Sequence, residues 1–138
     1  MPRTSNTRHT GRLQLSLAIA AGGVLGALAR AGLERGFAWD GHGWPWPTFC
    51  VNVVGTLLLG FFVTRLQERL PPSTFRRPLL GTGFCGALTT FSTYQLELLQ
   101  LVHHHHAWTA VAYGAASLAG GFFGCHLASA LSRRARLA

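Results

Sequence analysis

The stretch Gly81-Thr82-Gly83-Phe84-Cys85-Gly86-Ala87-Leu88-Thr89-Thr90-Phe91-Ser92-Thr93-Tyr94 decides how this chain is read. It lies inside an otherwise apolar segment, yet it holds three glycines and, through Thr93, five hydroxyl side chains. A glycine in a helix interior costs about 1 kcal/mol relative to alanine. Three of them at membrane depth imply close backbone contact or a deliberate interruption. In lipid an interrupted helix is tolerated only where its freed backbone groups are buried in protein or border a watery cavity. The stretch therefore reads as a site and not as a plain lipid-facing span.

Working outward, the surrounding chain has the composition of a small integral membrane protein. Of 138 residues 49% are hydrophobic and 12% charged, against roughly a quarter charged in soluble proteins. Four apolar runs are predicted to span the bilayer: Leu13 to about Leu33, Trp46 or Thr48 to Thr64, Leu79 to Val102, and Ala107 to Leu131. Each is near or above the ~20 residues a crossing needs. The first run resembles a secretory signal at its start but is too long for the typical signal core. Residues 1–12 read as a disordered basic tail, 13–131 as the membrane domain and 132–138 as a second basic tail. Trp39, Trp44, Trp46 and Trp108 fall near the predicted membrane surfaces, as an aromatic belt would.

All 12 basic residues are arginines, giving a net charge of +8. In a soluble protein that balance would suggest nucleic acid, but these arginines lie mostly between or outside the apolar runs. Arg3, Arg8, Arg12, Arg65, Arg69, Arg76, Arg77, Arg133, Arg134 and Arg136 all fall on one side of a four-span protein. Arg35, and Arg30 at the end of the first span, oppose them. The positive-inside rule then predicts both termini in the cytoplasm, with the protein in the cell membrane.

Within the spans, polar residues mark candidate functional groups. Gly22, Gly26 and Arg30 are four apart and share one helix face. Arg30 either serves function or snorkels to the interface. Asn52 is the one strongly polar group of its run, with Gly55 and Thr56 on its face; it forms either an interhelical hydrogen bond or a pore-lining amide. Phe91 and Tyr94 project on adjacent parts of one face, amid Thr89, Thr90, Ser92 and Thr93, whose hydroxyls could also bond back to their own helix. Glu97, a turn beyond, needs a partner or water. Tyr113 and Ser117 form a polar track beside Gly120, Gly121 and Gly124. The run His103-His104-His105-His106 reads as a solvated turn, because adjacent positions on a regular element point in different directions. Cys50, Cys85 and Cys125 read as small core hydrophobes. No nucleophile-base arrangement or metal-spaced His/Cys set is present, so an enzyme is not expected.

Taken together these motifs resemble the Fluc fluoride channels, also called CrcB-type proteins. The matching pieces are Gly23-x-x-Gly26-Ala27-x-x-Arg30, Asn52-x-x-Gly55 followed by Gly60, and above all Gly83 to Thr93. The resemblance implies an all-α membrane fold of four helices with a broken third, assembled as an antiparallel, dual-topology dimer. It implies two fluoride pores along the interface and a structural sodium ion held by the backbone carbonyls of Gly86 and Thr89. Pore positions carried over are Thr48, Asn52, Phe91, Ser92, Thr93, Tyr94, Tyr113 and Ser117, with Arg30 in a vestibule. Tyr94 stands where the family has a second phenylalanine, and Pro47 where glycine is usual. The arginine bias is also a departure, since a protein inserting both ways should show little difference between its sides. Pairing with an oppositely biased paralogue is the expectation that follows. Other readings are a proton-coupled four-helix exporter, for which only Glu97 could serve as the exchange carboxylate, and a non-conducting partner subunit.

Overall fold

The computed structural model describes residues 5–68 and 75–134. The described residues are all helical or connecting, with no strand. Helix α1 runs Ser5–Gly36 and α2 Trp46–Glu68. The third span is composite: a π-helical segment Pro78–Cys85 passes into a single α-turn, α3, Gly86–Leu88, and resumes after a break as α4, Phe91–His103. Helix α5, Ala107–Arg134, closes the chain. Three helices (α1, α2 and α5) are long and apolar enough to cross a membrane. The composite segment is the remaining apolar run of the sequence, interrupted at Thr89 and Thr90.

Two boundaries differ from the sequence expectation. The basic tail expected to be disordered through Arg12 is helical from Ser5 onward. Once the apolar part of α1 has formed its turns, each further residue adds a hydrogen bond without a new nucleation cost, so a polar extension stays helical. At the other end α5 continues to Arg134, past the expected limit at Leu131. Residues 1–4, 69–74 and 135–138, and with them the rest of both basic tails and the Pro71-Pro72 loop, lie outside the described residues.

The packing rests on glycines that let backbones touch. Helix α1 lies against the π segment and α3, while α2 packs chiefly on α5. A Cβ on Gly22 would collide with the Leu79 carbonyl oxygen, and one on Gly26 with that of Phe84. In the reverse direction, a Cβ on Gly83 would lie 2.5 Å from the Ile19 carbonyl oxygen and 3.0 Å from the Gly22 Cα. The two segments are thus interlocked glycine against glycine, as small-residue faces allow in lipid. Between α2 and α5 the same device recurs at Gly60, where a Cβ would sit 2.6 Å from the Cys125 carbonyl oxygen.

The wide turns of the π segment follow from its glycines as well. The Gly86 N–H reaches back to both the Gly81 and Gly83 carbonyls, the first being the five-residue step of a π turn. Such turns are rare and concentrate at functional sites. Pro78 opens the segment, where a missing N–H is harmless.

Little is buried inside the chain. The fully enclosed side chains include Tyr113, Leu101, Thr48 and Cys85, and large apolar groups such as Phe91, Leu99, Trp108 and Phe122 lie on the outside. Cys85 is a core hydrophobe as expected, whereas Cys50 is exposed and Cys125 half-buried. Trp44 is drawn inward, edge-on to Phe49 and Tyr113 at 5.5 and 5.6 Å between ring centres, while Trp46 and Trp108 stay outside.

The glycine interlock gives a direct test. Gly22→Ala and Gly83→Ala should each destabilise the protein by about 1–3 kcal/mol or more, the range for overpacking a filled contact. Gly32→Ala, at a position with open space, should be neutral or slightly stabilising. Thermal unfolding in detergent distinguishes the three.

Candidate functional site

The site is built around the interruption of the third span. Thr89 (φ −76°, ψ 150°) and Thr90 (φ −139°, ψ 125°) are extended, so the helix stops and restarts within two residues. At membrane depth each freed backbone group needs a partner, and side chains from other helices supply them. Asn52 of α2 pairs with both backbone groups of Thr90: its Nδ2 donates to the Thr90 carbonyl at 3.0 Å, and its Oδ1 accepts from the Thr90 N–H at 2.8 Å. Arg30 of α1 donates through Nε to the Ala87 carbonyl at 3.2 Å, while its Nη1 meets Glu34 at 3.3 Å. Thr90 caps α4, its Oγ1 accepting from the Thr93 N–H at 3.2 Å and standing 3.3 Å from Ser92 Oγ. Thr89 Oγ1 donates back to the Cys85 carbonyl at 3.0 Å.

Two carbonyls are left differently placed. In a continuous helix the Gly86 oxygen would accept from the Thr90 N–H and the Thr89 oxygen from the Thr93 N–H. Both donors are engaged elsewhere, with Asn52 Oδ1 and with Thr90 Oγ1. These are the two carbonyls the sequence resemblance assigns to sodium. Oxygen donors released from a helix are the chemistry a hard cation takes, so the residues present fit the ion.

Beside the break lies a cavity of about 590 Å³, bordered by Asn52, Thr56, Arg77, Gly86, Thr89, Thr90, Phe91, Tyr94 and Ser117. A larger hollow of about 790 Å³ borders the α1–α2 loop and is lined chiefly by apolar groups such as Phe37, Trp39 and Val54. The smaller cavity holds the polar groups and is the better candidate. Asn52 has one amide hydrogen left after bonding Thr90. Ser117 Oγ, next to the Tyr113 hydroxyl, is buried without a well-formed hydrogen bond among the described residues. Phe91, 72% exposed, stands 6.0 Å from Tyr94 between ring centres.

A second polar cluster lies behind the aromatic rings. Glu97, only 6% exposed, accepts from Thr48 Oγ1 at 2.5 Å and from the Tyr113 hydroxyl at 2.7 Å. Thr48 and Tyr113 are themselves 1% and 0% exposed. Tyr94 and Tyr113 stand 5.3 Å apart, so the rings of Phe91, Tyr94 and Tyr113 run in series from the cavity to the carboxylate.

The structure thus gathers Asn52, Phe91, Tyr94 and Ser117 at one cavity, and sets Ser92 and Thr93 on the first turn of α4 beside it. It places Thr48 and Tyr113 around Glu97, off the cavity lining. Arg30 is on the other side of the break, spent on Ala87 and Glu34. Two residues have roles that the sequence did not assign. Thr90 is the cap and the anchor for Asn52, signalled by a threonine just before an apolar helix. Arg77, counted only as a topology signal, borders the cavity; its position just before the third span was the available hint.

Broken membrane helices whose freed backbone borders a cavity are found in the class of multi-span proteins that pass ions or small solutes. The comparisons with known proteins narrow that class. The family described as CrcB-like protein, Camphor Resistance (CrcB), matches residues 17–129, and the chain belongs to it: a family of membrane ion channels and not of enzymes. The chain is 58% identical over 120 residues to fluoride-specific ion channel FluC 1 of Mycolicibacterium paratuberculosis, covering 87% of this chain and 91% of that one. It is 56% identical over 120 residues to FluC 1 of Mycobacterium bovis, with the same coverage. To FluC 2 of Streptomyces avermitilis it is 37% identical over 117 residues, 85% of this chain and 74% of the other.

Asn52→Ala removes both partners of Thr90 at once. Hydrogen–deuterium exchange of the peptide covering residues 89–93 should then speed up, with a stability loss of about 1–3 kcal/mol for the unpaired buried groups. Thr48→Val and Tyr113→Phe should each destabilise the fold, and their combination should be non-additive because both act on one carboxylate; unfolding of the double variant checks this.

Proposed function

We propose that the chain forms a fluoride-selective channel that lets the ion leave the cell down its electrochemical gradient and so lowers its cytoplasmic concentration. The observation that carries this reading is the donor-lined cavity beside the broken span, taken with relatives named for fluoride conduction. Fluoride is small and tightly hydrated, so a pore must replace its water with donors and positive partial charge. The free Asn52 amide hydrogen and the Ser117 hydroxyl are donors, and Phe91 and Tyr94 present positive ring edges. Ser92 and Thr93 add hydroxyls at the first turn of α4. Thr48 and Tyr113 extend the path toward Glu97, whose carboxylate they keep supplied with hydrogen bonds. Arg77 at the cavity edge draws anions in, a part that Arg30, bonded to Ala87, shares only through its field. With the cell interior negative, each fluoride leaving gains about 2.3 kcal/mol per 100 mV, so no coupling to another ion is needed.

The pore is completed by a second, antiparallel subunit. Phe91 and much of the apolar surface lie on the outside of a single chain, and the cavity is walled by one subunit only in part. A structural sodium ion at the interface would be held by the Gly86 and Thr89 carbonyls; it would supply positive charge there without a charged side chain. Ten arginines on one side favour a fixed orientation, termini in the cytoplasm of a cell-membrane protein, and a partner chain of opposite bias. Two relatives from Streptomyces avermitilis carry the numbers 2 and 3, which fits the existence of paired chains. A proton-coupled cation exporter is disfavoured, because Glu97, the carboxylate it requires, is committed to two hydroxyl donors deep in the subunit.

Fluoride efflux from liposomes, followed with a fluoride electrode, tests the proposal. Fast, sodium-dependent flux of fluoride and not chloride is expected, for the chain alone if it forms homodimers or with its antiparallel partner if it does not. Tyr94→Phe should keep flux, and Phe91→Ala should lower it at least roughly tenfold, as loss of a pore-lining group of about 1.4 kcal/mol would. Absence of fluoride flux both alone and with a partner would defeat the reading, and equal populations of two orientations in a topology assay would defeat the fixed-orientation part.

A further inference from the structure

The histidine run at the α4–α5 turn is not alone in space. The α1–α2 loop brings His42 against it, with ring centres 5.5 Å from His104 and 6.2 Å from His106. Both sides of this encounter are held by backbone geometry. His42 is flanked by Gly41 and Gly43 at φ +85° and +69°, a left-handed conformation that glycine adopts without strain. Its carbonyl accepts from Trp39 Nε1 at 2.8 Å, and its N–H donates to Asp40 Oδ1 at 3.0 Å. Across the gap, the N–H groups of His104, His105 and His106 close onto the Gln100, Val102 and Leu101 carbonyls. Two fixed turns therefore present imidazoles toward each other at the end of the molecule where α1 finishes and α5 begins.

We propose that His42, His104 and His106 form an inter-loop site for a borderline divalent transition cation, of which Zn2+ is the representative. The chemistry is that of the donor set: neutral imidazole suits zinc, copper and nickel and not the hard cations. Two imidazoles sharing a zinc at about 2.0–2.1 Å from each nitrogen put their ring centres roughly 5 Å apart, close to the spacing seen. Among the described residues no three ligating groups yet converge on one point. The three rings are exposed and lie outside the packed core. The consequence is a strap. Helix α4, which carries Phe91, Tyr94 and Glu97, ends in the histidine turn, so the bound cation ties that helix to the α1–α2 loop. The site is independent of the fluoride reading and stands or falls separately.

The test is isothermal titration of ZnCl2 into the untagged full-length chain in detergent, with thermal unfolding alongside. His42→Gln, His104→Gln and His106→Gln should each weaken zinc binding by roughly tenfold or more, at least what removing a ligand's own hydrogen-bond partner costs. His105→Asn, which keeps a residue type tolerated at φ +63°, should leave it unchanged. Zinc should raise the unfolding temperature of the unaltered chain and not that of His42→Gln. The inference is overturned if the unaltered chain takes up no zinc. It is equally overturned if binding depends on the turn histidines while His42→Gln retains it in full, since the run alone would then be the ligand.

Discussion

The pairing of Asn52 with both backbone groups of Thr90 is the constraint on which the rest depends. A transmembrane helix can stop and restart only if its loose N–H and C=O groups find substitutes for the missing turn. One carboxamide does this for a whole residue, mimicking the rung of a sheet between a helix and an extended backbone. Because the Thr90 N–H is then occupied, the Gly86 carbonyl loses its helical donor. Because Thr90 also caps α4, the Thr89 carbonyl loses its own. The break is consequently a chain of substitutions, each freeing the next group, and its free ends are oxygen atoms in a place where polar atoms are costly.

Around that break the subunit sorts its polar residues into two kinds. One set is closed: Glu97, Thr48 and Tyr113 satisfy one another inside the helices, and Arg30 is divided between Ala87 and Glu34. The other set borders the cavity: Asn52 keeps one amide hydrogen, and Ser117 lies beside the Tyr113 hydroxyl with its own oxygen buried. The closed groups tie α2, α4 and α5 together. The aromatic rings of Tyr94 and Tyr113 separate the two sets while touching both. This division explains how a subunit with so small an interior can position a site accurately: the interhelical hydrogen bonds and the glycine contacts replace the large apolar core that lipid does not reward.

The sequence disclosed the number of spans, their approximate limits and the region of the break, because apolar length and glycine clustering act locally. It also disclosed that Asn52 must have a partner, though not that the partner would be a backbone two helices away in sequence. Arg30 was read for its charge; its bond to Ala87, 57 residues distant, depends on how α1 crosses the third span. Thr48 and Tyr113 were assigned to a pore on resemblance, whereas the carboxylate that binds them stood in plain view as a group lacking a partner. Nothing in a linear reading tells which hydroxyl a buried acid will meet. The polar start of α1 misled for a simpler reason: composition describes an isolated segment, and a helix already built downstream changes its cost. His42 had no local signal at all, and only the folding together of two loops makes it a neighbour of the histidine run.

The break also divides an electrical object in two. The backbone before Thr89 ends in carbonyls and carries the negative end of its helix dipole; the backbone from Phe91 begins with N–H groups and carries the positive end of the next. Opposite partial charges therefore lie within a few residues of each other across the break, where the Arg30 guanidinium also meets the Ala87 carbonyl. Main chain thus supplies much of the local polarity, with less need of the formal charges that are costly in lipid. Substituting side chains leaves this polarity in place; mending the helix would erase it.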